Sequence, residues 1–373
     1  MGVAGLVQSG GFGSFSKAFG LAAAGLIEAE VITADGAIRT VNEKRDPELF
    51  FALKGGGGGT FGIVTRLTLR TYDLPETFGA VFATISASSD DAFRDLIREI
   101  LSFYAVSLFN PHWGEQIAFR PNNVLALSML FQGLPQEQAE GVWAPFLGWV
   151  RARSRDYRFG SEPVIMSVPA RAFWNPDILR NLPGIVLPDD QPGASKDRVF
   201  WAGNREESGQ YIHACQSAWL PADLLSGGPP GALADALFAA SRHWSIALHT
   251  NKGLAGAPAF AREAATTTAM NPAVRDAFAL AIIGAEGPPA YPGVAGHEPD
   301  VAHARREAER VAAAMKALKS RVVTTGSYLA ESDYFESDWQ QSYWGKNYGR
   351  LQAVKRQYDP EELFCVHHGA TNG

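Results

Sequence analysis

Ser9-Gly10-Gly11-Phe12-Gly13-Ser14-Phe15-Ser16-Lys17-Ala18-Phe19-Gly20-Leu21 lies close to the start of the chain, and a second cluster, Gly55 to Gly59, follows it. Glycine inside regular structure costs about 0.5–1 kcal/mol relative to alanine, so such density needs positive φ angles or close approach of backbone to a neighbour. Both clusters are flanked by apolar, strand-like runs rather than serine-rich or charged filler, which argues against flexible linkers. They read as backbone shaped to approach a ligand.

Outward from these clusters, residues 26–33 predict a strand, Ala34-Asp35-Gly36 a hairpin turn and residues 37–41 the returning strand. Asp46 is a candidate N-cap with Pro47 at the first helical position, which predicts a short helix burying Leu49, Phe50 and Leu53 and ending at Gly55. Ile63, Thr65, Leu67 and Leu69 alternate with Val64, Arg66, Thr68 and Arg70, the pattern of a strand with one buried face. Pro75 marks a change of character and a domain boundary. Beyond it, Phe93, Leu96, Ile97, Ile100, Leu101 and Tyr104 fall at helical spacing, and Asn123 to Phe131 reads as a strand. Residues 300–318 form a further helix with Ala304, Ala308, Val311, Met315 and Leu318 on one stripe. The segments 183–197 and 288–299, rich in proline and glycine, read as surface loops. The fold class is α+β.

The chain has 373 residues, 46% of them hydrophobic and 19% charged, with a formal net charge of -6. That composition suits a globular chain of about two domains and excludes a general nucleic-acid binder, which would carry a basic face. No stretch approaches the roughly 18 apolar residues of a membrane helix, so the chain reads as soluble, with the cytoplasm slightly favoured and no membrane partner. The two cysteines, Cys215 and Cys365, form no framework; Cys215 reads as core. No His/Cys/Asp spacing matches a zinc or iron site, so no metal is expected. His367 and His368, on an extended segment, would point to opposite sides.

Two nucleotide motifs fail. Gly59 is followed by Thr60-Phe61-Gly62 where an ATP-binding loop needs lysine and Ser/Thr, and position 16 is serine where a dinucleotide fingerprint needs glycine. The glycine runs, Glu30-Val31-Ile32-Thr33-Ala34-Asp35-Gly36, Asp46-Pro47-Glu48-Leu49-Phe50-Phe51-Ala52-Leu53-Lys54 and Phe61-Gly62-Ile63-Val64-Thr65 together resemble the FAD domain of vanillyl-alcohol-oxidase-type flavoproteins, in the berberine-bridge-enzyme-like branch. Residues 338–348 and 358–364 resemble that branch's closing module, and Asn110 to Glu115 and Asn251 to Gly256 add weaker likeness.

The resemblance implies an FAD-binding domain assembled from both chain ends, residues 1–75 and 334–373, with an inserted substrate domain, 76–333, whose antiparallel sheet covers the flavin. It places Gly10, Gly11, Gly13, Ser16 and Gly20 in the loop along the cofactor, Ile32 beside the adenosine, Gly62, Ile63 and Val64 along the cofactor and Asn347 near the flavin ring. Trp344 is expected as an aromatic wall, unlike most of the nine tryptophans, which read as core. Relatives begin with a further subdomain carrying a pyrophosphate loop and a flavin-linking histidine, so the expectation is an FAD domain without its N-terminal part, binding FAD non-covalently, with an N-terminal complementing chain as a partner. The activity implied is hydride removal from a small organic substrate such as an alcohol or sugar. Tyr328, Glu331 and His249 are the candidate catalytic residues, because a phenolate, a carboxylate or an imidazole can accept a hydroxyl proton. Ala330 stands where relatives often carry asparagine. The alternative is a non-catalytic remnant or partner subunit unable to hold FAD.

Overall fold

The computed structural model describes residues 2–173, 175–181, 184–207, 209–226 and 231–372. Two sheets and a small hairpin carry the fold. Strands β1 (Leu26–Ile32), β2 (Ile38–Val41) and β3 (Ile63–Leu69) form an antiparallel sheet of order β2-β1-β3. The larger sheet comprises β4 (Thr77–Ala87), β5 (Trp113–Arg120), β6 (Val124–Gln132), β7 (Tyr157–Phe159), β8 (Val164–Pro169), β11 (Gln210–Pro221), β12 (Ile246–His249) and β13 (Ala277–Pro289). Its order is β11-β13-β12-β5-β6-β4-β7, with β8 also on β4 and every pairing antiparallel. Strands β9 (Val186–Pro188) and β10 (Val199–Trp201) pair separately, so the stretch read as a loop from Pro183 to Asp197 contains a strand; Pro183 and Trp174 lie outside the described residues.

Period-two alternation gives the large sheet two different faces. Ala279, Ala281 and Ile283 of β13 turn toward the helices Asp90–Phe103, Gln136–Arg151, Ala232–Ser241 and Val301–Lys319, closing a core with Phe93, Trp143 and Met315. Leu280 and Ile282 of the same strand, with Trp219 of β11, turn the other way and pack with Phe12, Leu21, Met270 and Tyr328. The opposite face of the sheet is thus covered by the first glycine segment.

Both ends of the chain share a third core. Val7, Leu49, Phe50 and Phe61 pack with Tyr343, Trp344, Leu351 and Val354 of the closing helices Trp339–Trp344 and Tyr348–Tyr358. A buried ion pair pins this closure: the Lys355 ammonium donates to Asp359 Oδ2 at 2.6 Å, to the Thr60 carbonyl at 2.9 Å and to the Phe364 carbonyl, and the Asp359 carboxylate accepts the Leu363 and Phe364 N–H groups. The two side chains are 1% and 0% exposed. The helix Pro47–Leu53 forms as expected, but Asp46 does not cap it; its backbone is left-handed at φ 47°, and its carboxylate accepts the Tyr358 hydroxyl instead. In β3 the buried face is incomplete, since Ile63 is 57% exposed.

The glycine segment is anchored to the large sheet by Lys17. Fully buried in the short helix Ser16–Phe19, its Nζ donates to the Gly253 carbonyl at 2.8 Å and the Phe278 carbonyl at 2.9 Å. On β5, a Cβ at Gly114 would lie 1.9 Å from the Ser14 carbonyl oxygen, so only glycine lets the segment lie this close.

Asp359→Asn leaves the Lys355 charge buried without its counter-ion and is expected to cost about 3–5 kcal/mol at pH 7 in urea unfolding. Burial raises the Asp359 carboxyl, but the Lys355 hydrogen bond and the two N–H donors outweigh it and the net shift is downward. The stability it supplies is present above the unfolded carboxyl's titration and is lost as pH falls through the lower folded value, so the gap between the two proteins should narrow below about pH 4. Lys17 gives the opposite slope. Burial lowers its ammonium from 10.5 to about 7, so above that value the unfolded chain holds a proton the folded chain has released, and stability rises with pH. Urea unfolding between pH 7 and 9 should show that rise in the wild type and lose it in Lys17→Met; equal slopes would refute the assignment.

Candidate active site

Positive φ at Gly10 (101°) and Gly11 (71°) bends the first glycine segment back on itself. The space in front of these glycines is filled by the protein: a Cβ at Gly10 would sit 2.1 Å from Met270 Sδ, and one at Gly11 2.6 Å from Ala22 Cβ and 2.8 Å from the Leu6 carbonyl oxygen. The Gly11 N–H donates to the Tyr328 hydroxyl at 3.4 Å. Gly13 faces open space, and its N–H and carbonyl are both held by the Ser16 hydroxyl at 2.9 Å. Gly20 turns at φ 83° beside Ala261.

Tyr328, Glu331 and Lys252 line one cavity of about 410 Å³ together with Leu6, Ser9 and Phe12. Lys252 Nζ donates to Glu331 Oε1, while Glu331 Oε2 is buried without a hydrogen-bond partner among the described residues. Phe12 meets the Tyr328 ring edge-on at 5.0 Å. Ser217 of β11 accepts the Tyr328 N–H and contacts Ser327, so this strand sets the tyrosine's position. Ser9 also lines a neighbouring cavity of about 390 Å³ with Gly57, Thr60, Tyr343, Trp344 and His368. The Thr60 hydroxyl of this cavity is buried without a hydrogen-bond partner among the described residues, as is the side-chain oxygen of Gln8, next to Ser9 in the chain. A larger cavity of 470 Å³, lined by Arg98 and Leu233, lies on the helical face away from these groups.

Burial pushes the Tyr328 hydroxyl far above its ordinary value, so the tyrosine is a neutral phenol at physiological pH and not the activated phenolate its expected role as a base requires. His249, on β12 opposite Gln116 and Leu280, is driven down to about 3 by burial and then by the Lys252 charge, leaving a neutral imidazole. Glu331 is the one candidate of the three with an unengaged, buried oxygen beside the cavity.

The remaining expected residues divide. Trp344 lines the second cavity, with Nε1 donating to the Gly55 carbonyl at 3.0 Å. Asn347 donates to the Met270 carbonyl at 2.8 Å and so supports the residue that fills the space before Gly10. Ile32, Ile63 and Val64 sit on the small sheet, where Ile32 pairs with Ile63, and Gly62 immediately precedes β3, where a Cβ would lie 2.5 Å from the Ile32 carbonyl oxygen; they line neither cavity. His367 and His368 do not splay apart: His368 is left-handed at φ 55°, and the two rings stack at 3.9 Å. Sequence reasoning missed Lys252 as a site residue; only its place in the Asn251 to Gly256 run pointed to it. Cys215, read as core, is part-buried, and its thiol is pushed up to about 11 by burial and by Glu331.

A family model described as berberine and berberine-like matches residues 327–370. The chain is 28% identical over 371 residues to the FAD-linked oxidoreductase malF of Malbranchea aurantiaca, a match covering 98% of this chain and 56% of that protein. It is 25% identical over 384 residues to the VAO-type flavoprotein oxidase VAO615 of Thermothelomyces thermophilus, covering 98% and 58%. Among solved structures, the VAO-type flavoprotein MtVAO713 of Myceliophthora thermophila C1 superposes with a TM-score of 0.72 at 21% identity over 99% of this chain and 60% of that one. BBE-like 1 of Physcomitrella patens gives 0.71 at 16% identity, covering 100% and 71%. The chain thus spans little more than half the length of these curated relatives. No helix among the described residues is long and apolar enough to cross a membrane. The shared fold, the matched closing segment and sequence likeness along nearly all of its residues make this chain similar to the vanillyl-alcohol-oxidase-type flavoproteins and to FAD-linked oxidoreductases with a berberine-like closing segment.

Proposed function

We propose that this protein is an FAD-linked oxidoreductase that oxidises a small, hydroxyl-bearing organic molecule in the cavity between Phe12, Tyr328 and Glu331. The observation that carries the reading is the unpaired, buried Glu331 Oε2 beside that cavity, with Lys252 engaging the other oxygen. We take residues 1–75 and 334–373 as the flavin-side unit and 76–333 as the substrate unit; the core shared by both chain ends supports this division.

The residues present fit a flavin. The second cavity offers an indole wall at Trp344, a glycine backbone at Gly57 and the unpartnered buried hydroxyl of Thr60, which suit the edge of a heteroaromatic ring and a polyhydroxyl chain. The open Gly13 lets further backbone approach it. Lys17, Lys54 and Lys355 are all committed to protein partners, which leaves backbone N–H groups of the glycine segment and Arg70, in the cavity lined by Gly13 and Ser16, as the phosphate contacts this chain could offer. Bound FAD would supply the hydride acceptor. Glu331 Oε2 accepts the substrate hydroxyl proton, Lys252 holds the carboxylate in place, and the neutral Tyr328 fixes the Gly11 amide and the cavity wall. We take FAD to be held non-covalently; the nearby Cys215 is a protonated thiol and a poor nucleophile.

The visible spectrum of the purified chain, before and after titration with FAD, tests cofactor binding. A saturable flavin spectrum in the bound fraction is expected, released by acid precipitation into the supernatant. A chain that stays colourless overturns the proposal for this polypeptide and favours a non-catalytic partner subunit. Glu331→Gln should retain flavin and lose about 10²–10⁴-fold in turnover, the usual contribution of a positioned base. Tyr328→Phe should lose much less.

A further inference from the structure

The fold brings together three donor side chains outside the lining of the cavities described above. His213 projects from β11, and His303 and Glu307 lie one turn apart on the helix Val301–Lys319 that packs against that strand. Glu307 joins the two imidazoles: Oε2 is 2.7 Å from His213 Nδ1 and Oε1 is 3.1 Å from His303 Nε2. One donor atom from each residue lies within 4.8 Å of the other two.

The seat of His213 is specifically shaped. A Cβ at Gly287 on the neighbouring β13 would lie 2.5 Å from His213 Nε2 and 2.9 Å from Cε1, so the ring occupies space that only glycine leaves free. Its side chain is 6% exposed and that of Glu307 16%, whereas His303 is 50% exposed and free to adjust.

A tetrahedral zinc ion with ligand bonds of about 2.0–2.2 Å holds its donors about 3.3–3.5 Å apart. The 2.7 and 3.1 Å separations are shorter than that spacing and run to different oxygens of Glu307, so an ion would enter as the side chains move apart, with the half-exposed His303 free to make that adjustment. Two imidazole nitrogens and one carboxylate are borderline donors that favour zinc and its neighbours over calcium or magnesium. The alternative, a purely hydrogen-bonded His–Glu–His cluster, uses the same geometry without an ion.

We propose that His213, His303 and Glu307 form a binding site for a divalent transition metal of the zinc type, with water completing the coordination. The ion staples the helix Val301–Lys319 to the edge strand β11. That strand continues through Gln216, which donates to Asp333, and Ser217, which receives the Tyr328 N–H, so the staple stiffens the strand that positions the cavity wall. This inference stands apart from the flavin reading, since none of its residues lines either cavity.

The test uses the full chain, free of affinity tag and stripped by chelator. Calorimetric titration with Zn²⁺ should show one saturable equivalent, and Co²⁺ should give the intense visible bands of four-coordinate cobalt. Zn²⁺ should also raise the thermal unfolding midpoint. His303→Ala, at the most exposed position, should fold normally and weaken the metal by at least about tenfold, since even outer-shell changes cost that much; Glu307→Gln should do the same. The double variant His367→Ala/His368→Ala should bind like the wild type. No saturable zinc binding up to about millimolar, affinity unchanged in His303→Ala, or loss of binding in the His367/His368 variant would each overturn the proposal.

Discussion

The ammonium of Lys17, buried and donating to the carbonyls of Gly253 and Phe278, joins the first glycine segment to the large sheet. A charged group removed from water is tolerated only where hydrogen bonds replace its hydration, and these carbonyls come from the turn after β12 and from β13. The same contact surface is reinforced where Gly114 lets the Ser14 carbonyl approach β5 and where Asn251 donates to the Gly13 carbonyl. Without this junction, Phe12 would have no sheet face to pack on, and the Gly11 amide would not meet Tyr328.

A second buried cation closes the other side. Lys355 gathers Asp359 and the carbonyls of Thr60 and Phe364, tying the closing helices to the end of the second glycine cluster. The two lysines thus immobilise the two glycine clusters against different cores, and the cavities with Ser9 in common lie between them. Net charge is poorly informative here, because the lysines that organise the site are internal, Lys355 paired with Asp359 and Lys17 held by backbone carbonyls.

Much of the secondary structure was legible locally. The alternation in residues 26–41 and 63–69, the Asp46-Pro47 helix start and the stripe in 300–318 all became the elements they signal, because each depends on residues within a few positions of one another. Local reading failed where a distant partner intervened. Tyr358 drew Asp46 away from its capping role, and the left-handed backbone at His368 stacked two rings expected to diverge. The glycine clusters read as backbone shaped to approach a ligand, but the groups that approach Gly10, Gly11 and Gly62 belong to the protein itself: Met270, Ala22 with Leu6, and Ile32.

By itself the sequence determined the α+β class, the glycine-rich turns and the closing segment, since period, turn chemistry and ordered motifs are properties of neighbouring residues. Only the tertiary structure decided which groups meet and in what protonation state. Lys252 reaches Glu331, His213 reaches Glu307, and Tyr328 loses the solvent that would let it ionise, because burial and contact between distant segments arise only when the sheets and the chain ends close on one another.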